Sequence, residues 1–179
     1  MDDRIEKLRY PTGRFQLPEG MDKTQIDKYI NEIKRLPEQL RDAVSGLNDE
    51  QLDTSYREDG WTVRQVIHHV ADSHLNSYIR FRWSLTEETP TIKAYYEDRW
   101  AELDDARNAP VEISLKLLDA LHDRWVMLLK NLDEEDLQKS FIHPESGKEV
   151  KLYVNIALYA WHSRHHLAHI TELRNRKGW

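Results

Sequence analysis

Apolar side chains recur at intervals of three and four residues in four separate stretches of the chain. The first stretch contains Ile26, Ile30, Ile33, Leu36, Leu40, Val44 and Leu47. Such spacing places the apolar side chains on one face of a helix. It predicts a first long helix over about residues 22–46, in which Pro37 marks a kink or a break.

The second stretch begins with a recognisable helix start. Thr62 followed by Gln65 has the pattern of a capping box, and Trp61 stands where a hydrophobic staple would lie. These signals predict a second helix that runs from Trp61 to about Leu85.

Two further helices follow in the second half of the chain. Apolar residues recur at Ile113, Leu117, Leu121, Trp125 and Leu128, which predicts a third helix that ends near Asn131. The fourth helix is predicted from Leu152 to about Arg176. Four long helices in 179 residues indicate an all-α fold, a four-helix bundle that forms one domain over residues 1–179.

The connecting segments are marked by proline and glycine. Residues 1–21 show no sustained period and are predicted to form an extended N-terminal arm that lies on the bundle. A long crossover is predicted over about residues 86–111, with a short helix near Glu97 to Leu103. Residues 143–147 read as a turn.

One short pattern occurs twice. Residues 47–52 (LNDEQL) resemble residues 132–137 (LDEEDL), and each copy stands between two predicted long helices. The echo suggests two helical hairpins related by a pseudo-twofold axis and joined by the crossover. The alternative is that two acidic helix starts look alike by chance.

Composition limits the function classes. Hydrophobic residues make up 39% of the chain, and the longest apolar runs fall far short of a bilayer span, so no membrane partner is expected. The first residues contain no apolar stretch like a secretion signal, so the predicted location is the cytoplasm. A net charge of −6 argues against a nucleic-acid partner, because phosphate binding relies on clustered Lys and Arg.

Cysteine is absent, so a metal ion would have to be held by nitrogen and oxygen ligands. The His-Glu-x-x-His signature and the repeated Glu-x-x-His signature of di-iron bundles are also absent, which favours a mononuclear site. The chain has no phosphate-binding glycine loop and no nucleophile-elbow serine. The chain does contain nine histidines, seven of which lie within residues 67–74 and 161–169.

The fourth helix carries a histidine pair at a spacing that suits a metal ion. His162 and His166 are four residues apart, so both rings project from one helical face beside the apolar side. Neutral imidazole is a common metal ligand, and such a pair forms a two-point clamp. His165 points about 100° away from His166 and is predicted to face solvent.

A third ligand would come from the second helix. His69 flanks its inward side and His74 lies near the centre of that side, and periodicity does not choose between them. His68 is predicted to point outward. The alternative is that these histidines bind no metal and are surface histidines or hydrogen-bonded core histidines.

Three segments then carry a family resemblance: residues 60–74 (GWTVRQVIHHVADSH), 84–90 (SLTEETP) and 161–173 (WHSRHHLAHITEL). They resemble the YfiT-type branch of the DinB-like superfamily, and the likeness runs from about Tyr10 to Trp179. The resemblance implies a four-helix bundle, often a homodimer, that acts as a metal-dependent hydrolase on a small-molecule substrate.

The resemblance also implies the ligands. Matched to the family's motif, the metal ligands are His69, His162 and His166. They hold one divalent ion per chain, for which zinc is the first expectation and nickel the second. Related members transfer bacillithiol or another low-molecular-weight thiol to electrophiles, so a metal-dependent thiol S-transferase is the rival function.

Three neutral imidazoles would leave a divalent ion able to acidify a water or a thiol at an open position. No catalytic residue is assigned, although Asp72, Tyr159 and Glu172 lie on the right helices. A non-catalytic alternative is a metal-stabilised binding module, in which a fourth ligand such as His74 or His122 closes the site.

Overall fold

The computed structural model describes residues 3–20 and 22–179, and most of the described chain is helical. In chain order the helices are α1 (Asp3–Arg9), α2 (Lys23–Val44), α3 (Asp49–Leu52), α4 (Val63–Thr86), α5 (Glu97–Trp100), α6 (Asp104–Asn108), α7 (Val111–Lys130), α8 (Glu134–Gln138) and α9 (Leu152–Lys177). Two strands, β1 (Ser140–His143) and β2 (Lys148–Lys151), form a small sheet before α9. The long helices α2, α4, α7 and α9 confirm the predicted four-helix bundle.

The ends of the long helices follow local rules. Asp22 caps α2 by accepting a hydrogen bond from the Thr24 amide at 3.1 Å. Thr62 and Gln65 make both hydrogen bonds of the predicted capping box, at 3.1 and 3.0 Å, so α4 begins at Val63. Pro37 does not break α2: the helix runs through this residue from Lys23 to Val44, and Pro37 is buried.

The order of the helices around the bundle differs from the hairpin prediction. Both α2 and α4 pack against α7 and α9, so α2 lies diagonally across from α4, and α7 diagonally across from α9. The prediction of two paired hairpins is therefore wrong. Consecutive helices can lie on a diagonal because the chain between them is long enough to cross the end of the bundle. The two echoed segments supply part of that length, as the short helices α3 and α8.

The other connections contain more structure than the sequence indicated. The single short helix predicted near Glu97 to Leu103 is in fact two, α5 and α6. The predicted turn at residues 143–147 is present, but it joins β1 to β2 in a hairpin that was not predicted, because four-residue strands carry too short an alternation to detect. The crossover is tied to this hairpin where the Ile92 amide donates to the Ile142 carbonyl at 3.1 Å.

The N-terminal arm lies on the bundle as predicted, but it is not extended throughout. Residues 1, 2 and 21 lie outside the described part of the chain, and the arm contains helix α1 rather than being extended throughout. The arm lies on α9: Trp161 Nε1 donates to the Gly13 carbonyl at 2.9 Å, and His169 Nε2 donates to the Arg9 carbonyl at 3.2 Å. These contacts cover one side of the histidine-rich segment of α9.

The interior is filled by large apolar side chains from all four long helices. Those with almost no exposed surface include Ile33, Leu36, Phe81, Leu118, Trp125 and Ile156. Burial of such side chains is the main stabilising contribution to a bundle of this size. Within the part of the chain that the structure describes, no helix combines the length and the apolar character needed to span a bilayer.

Candidate metal centre

Helices α4 and α9 bring three histidines together. One ring nitrogen from each of His69, His162 and His166 can be chosen so that all three lie within 4.8 Å of one another. The ring centroids are 5.4 Å apart for His69 and His162, 4.7 Å for His69 and His166, and 4.3 Å for His162 and His166. The three side chains that the resemblance implies as ligands thus meet at one place in the bundle. Their role as ligands stays a prediction.

These three rings are uncharged at neutral pH. Burial lowers the pKa of His69 to about 4, and it lowers the pKa values of His162 and His166 well below the ordinary value. The proximity of the rings adds to this effect, because a positive charge on one disfavours protonation of the next. A neutral imidazole keeps the lone pair that a metal ion needs.

The donor set fits a divalent ion such as zinc or nickel. Both metals accept imidazole nitrogen, and a site with three protein ligands leaves a further position open. His166 Nδ1 is buried and has no hydrogen-bond partner among the described residues. Buried polar atoms without partners are costly, and they often mark the place of a ligand or water.

His74 and His122 belong to a chain of hydrogen bonds that ends at His162. His122 Nδ1 lies 2.7 Å from the Ile33 carbonyl oxygen, and His122 Nε2 lies 3.0 Å from His74 Nδ1. His74 Nε2 in turn lies 3.2 Å from His162 Nδ1. Burial holds the pKa of His122 at about 4 and that of His74 well below its ordinary value, so both rings are neutral.

These hydrogen bonds determine the tautomer of each ring in turn. A carbonyl only accepts, so His122 Nδ1 carries the proton and its Nε2 is an acceptor. His74 Nδ1 must then donate to His122, which leaves His74 Nε2 as an acceptor for the proton on His162 Nδ1. The lone pair of His162 is therefore on Nε2. Hydrogen bonds of this kind commonly orient metal-binding histidines.

Removal of the ring at position 122 is expected to weaken metal binding without removing a ligand. In His122→Leu the Nδ1–H group of His74 loses its acceptor, and the orientation of His162 loses its support, so metal affinity should fall about 10–100-fold. Competition with a metal-sensitive dye measures this change.

Two matched variants separate the hydrogen bonds from the packing. His122→Gln can donate to the Ile33 carbonyl and accept from His74, so it should retain most of the affinity. Leu118→Ala removes a fully buried side chain from the same helix, α7, and should leave metal affinity near the wild-type value. Equal losses in His122→Leu and Leu118→Ala would show that only packing matters.

Two histidines lie elsewhere than predicted. His68 is buried instead of pointing outward, because α6 and α7 cover it: its Nδ1 is 2.7 Å from Ser114 Oγ and its Nε2 is 3.1 Å from the Ala109 carbonyl. His165 is buried instead of facing solvent, because Trp161 stacks on it at 4.5 Å. Helical periodicity gives a direction from the axis, but it does not show what packs there.

A second histidine group adjoins the first. His165, His166 and His169 also have ring nitrogens within 4.8 Å of one another, and His166 is common to both groups. His169 donates its Nε2 proton to the Arg9 carbonyl of the arm, which leaves its Nδ1 as an acceptor. The sequence pattern did not reveal this group, because His165 was predicted to face solvent, away from His166.

Both groups open onto a cavity of about 470 Å³. Its wall includes the aromatic side chains of Trp61, Tyr95 and Tyr159. Ser73 joins this wall to the histidines, since its Oγ lies 3.2 Å from the Tyr159 hydroxyl and 3.4 Å from His162 Nε2. Burial raises the pKa of Tyr95, so its hydroxyl stays protonated and can donate.

The acidic candidates from the sequence are not on this wall. Burial and the nearby Asp105 raise the pKa of Asp72 to about 6, but Asp72 is not among the residues that line the cavity. Glu172 is exposed and lies beside the N-terminal arm. Of the three side chains considered, Tyr159 alone lines the cavity. Ser73 and Tyr95 were missed, because a serine and a tyrosine carry no spacing signal of their own.

A four-helix bundle with clustered, neutral histidines on the wall of a cavity defines a class of helical protein suited to holding a metal. The chain belongs to the DinB superfamily, whose family model matches residues 32–170. Within it the chain is of the YfiT type, as its similarity to one solved structure shows.

The similar proteins cover nearly the whole chain. A Bacillus cereus (strain B4264) protein named "putative metal-dependent hydrolase" is 58% identical over 175 residues, which is 98% of this chain and 100% of the relative. A Bacillus mycoides (strain KBAB4) protein with the same description is 56% identical over the same shares. The structure of Bacillus subtilis YfiT, described as "a probable metal-dependent hydrolase with an unusual four-helix bundle topology", is 50% identical. It superposes with a TM-score of 0.95 over 97% of this chain and 99% of that one.

Proposed function

We propose that this protein is a metal-dependent hydrolase that holds one divalent ion, zinc or nickel, with His69, His162 and His166. The observation that carries the proposal is the gathering of three neutral ring nitrogens within 4.8 Å on the wall of a cavity. The descriptions of its relatives agree with this class of activity.

When bound, such an ion supplies Lewis-acid chemistry: it acidifies a water molecule and polarises a carbonyl group. The protein's own groups would position the substrate. The hydroxyls of Ser73, Tyr95 and Tyr159 lie on the cavity wall, and Ser73 Oγ lies 3.4 Å from His162 Nε2. The Tyr159 hydroxyl donates to the Ser73 carbonyl at 3.1 Å, so the Tyr95 hydroxyl is the one that would donate to a reacting oxygen atom. Trp61, whose ring lies tilted against that of His69 with the centroids 4.5 Å apart, would cover one side of the histidine group.

Thiol transfer would use the same histidines, so the decisive experiment compares the two reactions. The zinc- and nickel-loaded proteins are assayed on a panel of aryl esters and anilides without thiol, and on a bimane electrophile with and without bacillithiol or cysteine. The expected result is thiol-independent ester or amide turnover, lost on chelation and restored by metal. Consumption of the electrophile only when thiol is present, with no ester or amide turnover, would overturn the hydrolase proposal in favour of S-transfer.

A further inference from the structure

One buried charge in the cavity has no partner of opposite sign. Arg80 of α4 lines the cavity and is only 8% exposed. Its Nε is buried without a hydrogen-bond partner, and among the described residues no carboxylate lies within ion-pair distance of its guanidinium. This arginine therefore differs from an ordinary structural ion pair.

The other arginines of the cavity wall are less buried. Arg57 is half-buried, donates to the Glu58 carbonyl at 2.7 Å and lies over the Tyr56 ring, although its Nε is also buried without a hydrogen-bond partner among the described residues. Arg9 is exposed and lies near the Tyr10 ring. The acidic residues of the wall, Asp59, Glu97, Asp98 and Glu145, are all exposed. Among the described residues of the cavity wall, Arg80 is thus the most deeply buried charged side chain, and no carboxylate pairs with it.

An uncompensated buried arginine is costly, and the cost cannot be avoided by losing a proton. A buried lysine or histidine can become neutral, whereas the guanidinium stays charged at any pH at which the protein is folded. Its planar fork matches the two oxygens of a carboxylate or a phosphate. The arrangement is what a site for an anionic ligand requires.

Arg80 lies on the same stripe of α4 as the candidate metal centre. Intervals of four and seven residues return to one helical face, so His69, Ser73 and Arg80 all line the cavity. The Cα atoms of His69 and Arg80 are about 16 Å apart along the axis at about 1.5 Å per residue. Helical side chains lean toward the N-terminus, so Arg80 reaches back toward the histidines.

We infer that Arg80 anchors the substrate by an oxyanion, a carboxylate or a phosphate, while the group that reacts lies at the histidine cluster. This inference rests on the proposed function and narrows it to esters or amides with an anionic group several bonds from the reacting carbonyl. Arg80 sets specificity and does not take part in the bond-breaking step.

The test is calorimetric titration of the metal-loaded protein with dicarboxylates from glutarate to suberate and with monocarboxylates of equal length. Phosphonocarboxylates of the same lengths form a second arm, which tells carboxylate from phosphate recognition. For the best length, wild type should bind the dianion at least about tenfold tighter than the monoanion, as expected for a charge-assisted pair. Arg80→Gln should bind the two about equally.

The control is Arg82→Gln, which removes an exposed arginine two residues away on α4 and should keep the wild-type preference. Arg80→Lys keeps the charge but not the fork; it should give an intermediate preference, and it replaces Arg80→Gln if that variant does not fold. An unchanged preference in the Arg80 variants, or no preference in wild type, would overturn the inference.

The outcomes separate this inference from the proposed function. Elemental analysis of the same samples reports the metal, and the ester assay reports hydrolysis. A protein without metal or hydrolysis whose anion binding still depends on Arg80 would reject the hydrolase and keep the anion site. A protein that holds metal and hydrolyses esters, but shows no Arg80-dependent preference for the dianion, would support the hydrolase and reject the anion site.

Discussion

Replacement of His166 by alanine is expected to remove the metal from the purified protein. Wild type should carry near one ion per chain, whereas His166→Ala and His162→Ala should each carry below about a tenth of an ion, because two imidazoles on their own hold a divalent ion poorly. The two rings lie 4.3 Å apart on α9 and act as one clamp, so loss of either leaves the other without its partner. Elemental analysis after desalting measures the content.

The matched control is His143→Ala. His143 lines the same cavity and is half-buried, but it belongs to neither histidine group. This variant should keep its full metal content, and circular dichroism should show that all the variants are folded. Full metal content in both His162→Ala and His166→Ala would reject the ligand assignment.

Acidification is expected to destabilise the metal-free protein strongly between about pH 6.5 and pH 4. Burial lowers the pKa of eight of the nine histidines: His68, His69, His74, His122, His162, His165, His166 and His169. In the unfolded chain these rings bind protons near their ordinary pKa, while in the folded protein they stay neutral. Stability is therefore fully present above about pH 6.5 and is lost as the pH falls toward the folded pKa values.

The contribution of a single ring can be isolated at position 122. A folded pKa of about 4 for His122 corresponds to a loss of about 3 kcal/mol on acidification, since each pKa unit is worth about 1.4 kcal/mol. His122→Gln keeps the hydrogen-bonding groups but cannot take up a proton. Urea unfolding at about pH 7 and about pH 4.5 should show a smaller loss for this variant than for wild type. An equal loss in both would show that His122 does not contribute.

The helices could be predicted because their signals are local. The capping box of Thr62 and Gln65 needs only four consecutive residues, and the apolar face of α2 needs only regular spacing. The arrangement of those helices was predicted wrongly. No local signal shows that α2 and α4 lie on a diagonal, because that depends on how long connections cross the end of the bundle.

The candidate site was likewise predicted only where its signal is local. The pairing of His162 with His166 follows from a four-residue interval within one helix. The choice of His69 over His74 came from the family resemblance, and the structure adds a physical account. His69 lies against Trp61 on the cavity wall, whereas His74 has no exposed surface and hydrogen-bonds to its neighbours through both ring nitrogens.

By itself, the amino-acid sequence determined the four long helices, the histidine pair on the last of them, and the absence of thiol ligands. Only the tertiary structure decided which helices are neighbours, that His68 and His165 are buried, and that Arg80 enters the cavity without a counter-charge. The physical reason is that a helix's spacing pattern depends on its own backbone, whereas burial and charge compensation depend on segments far away in the chain.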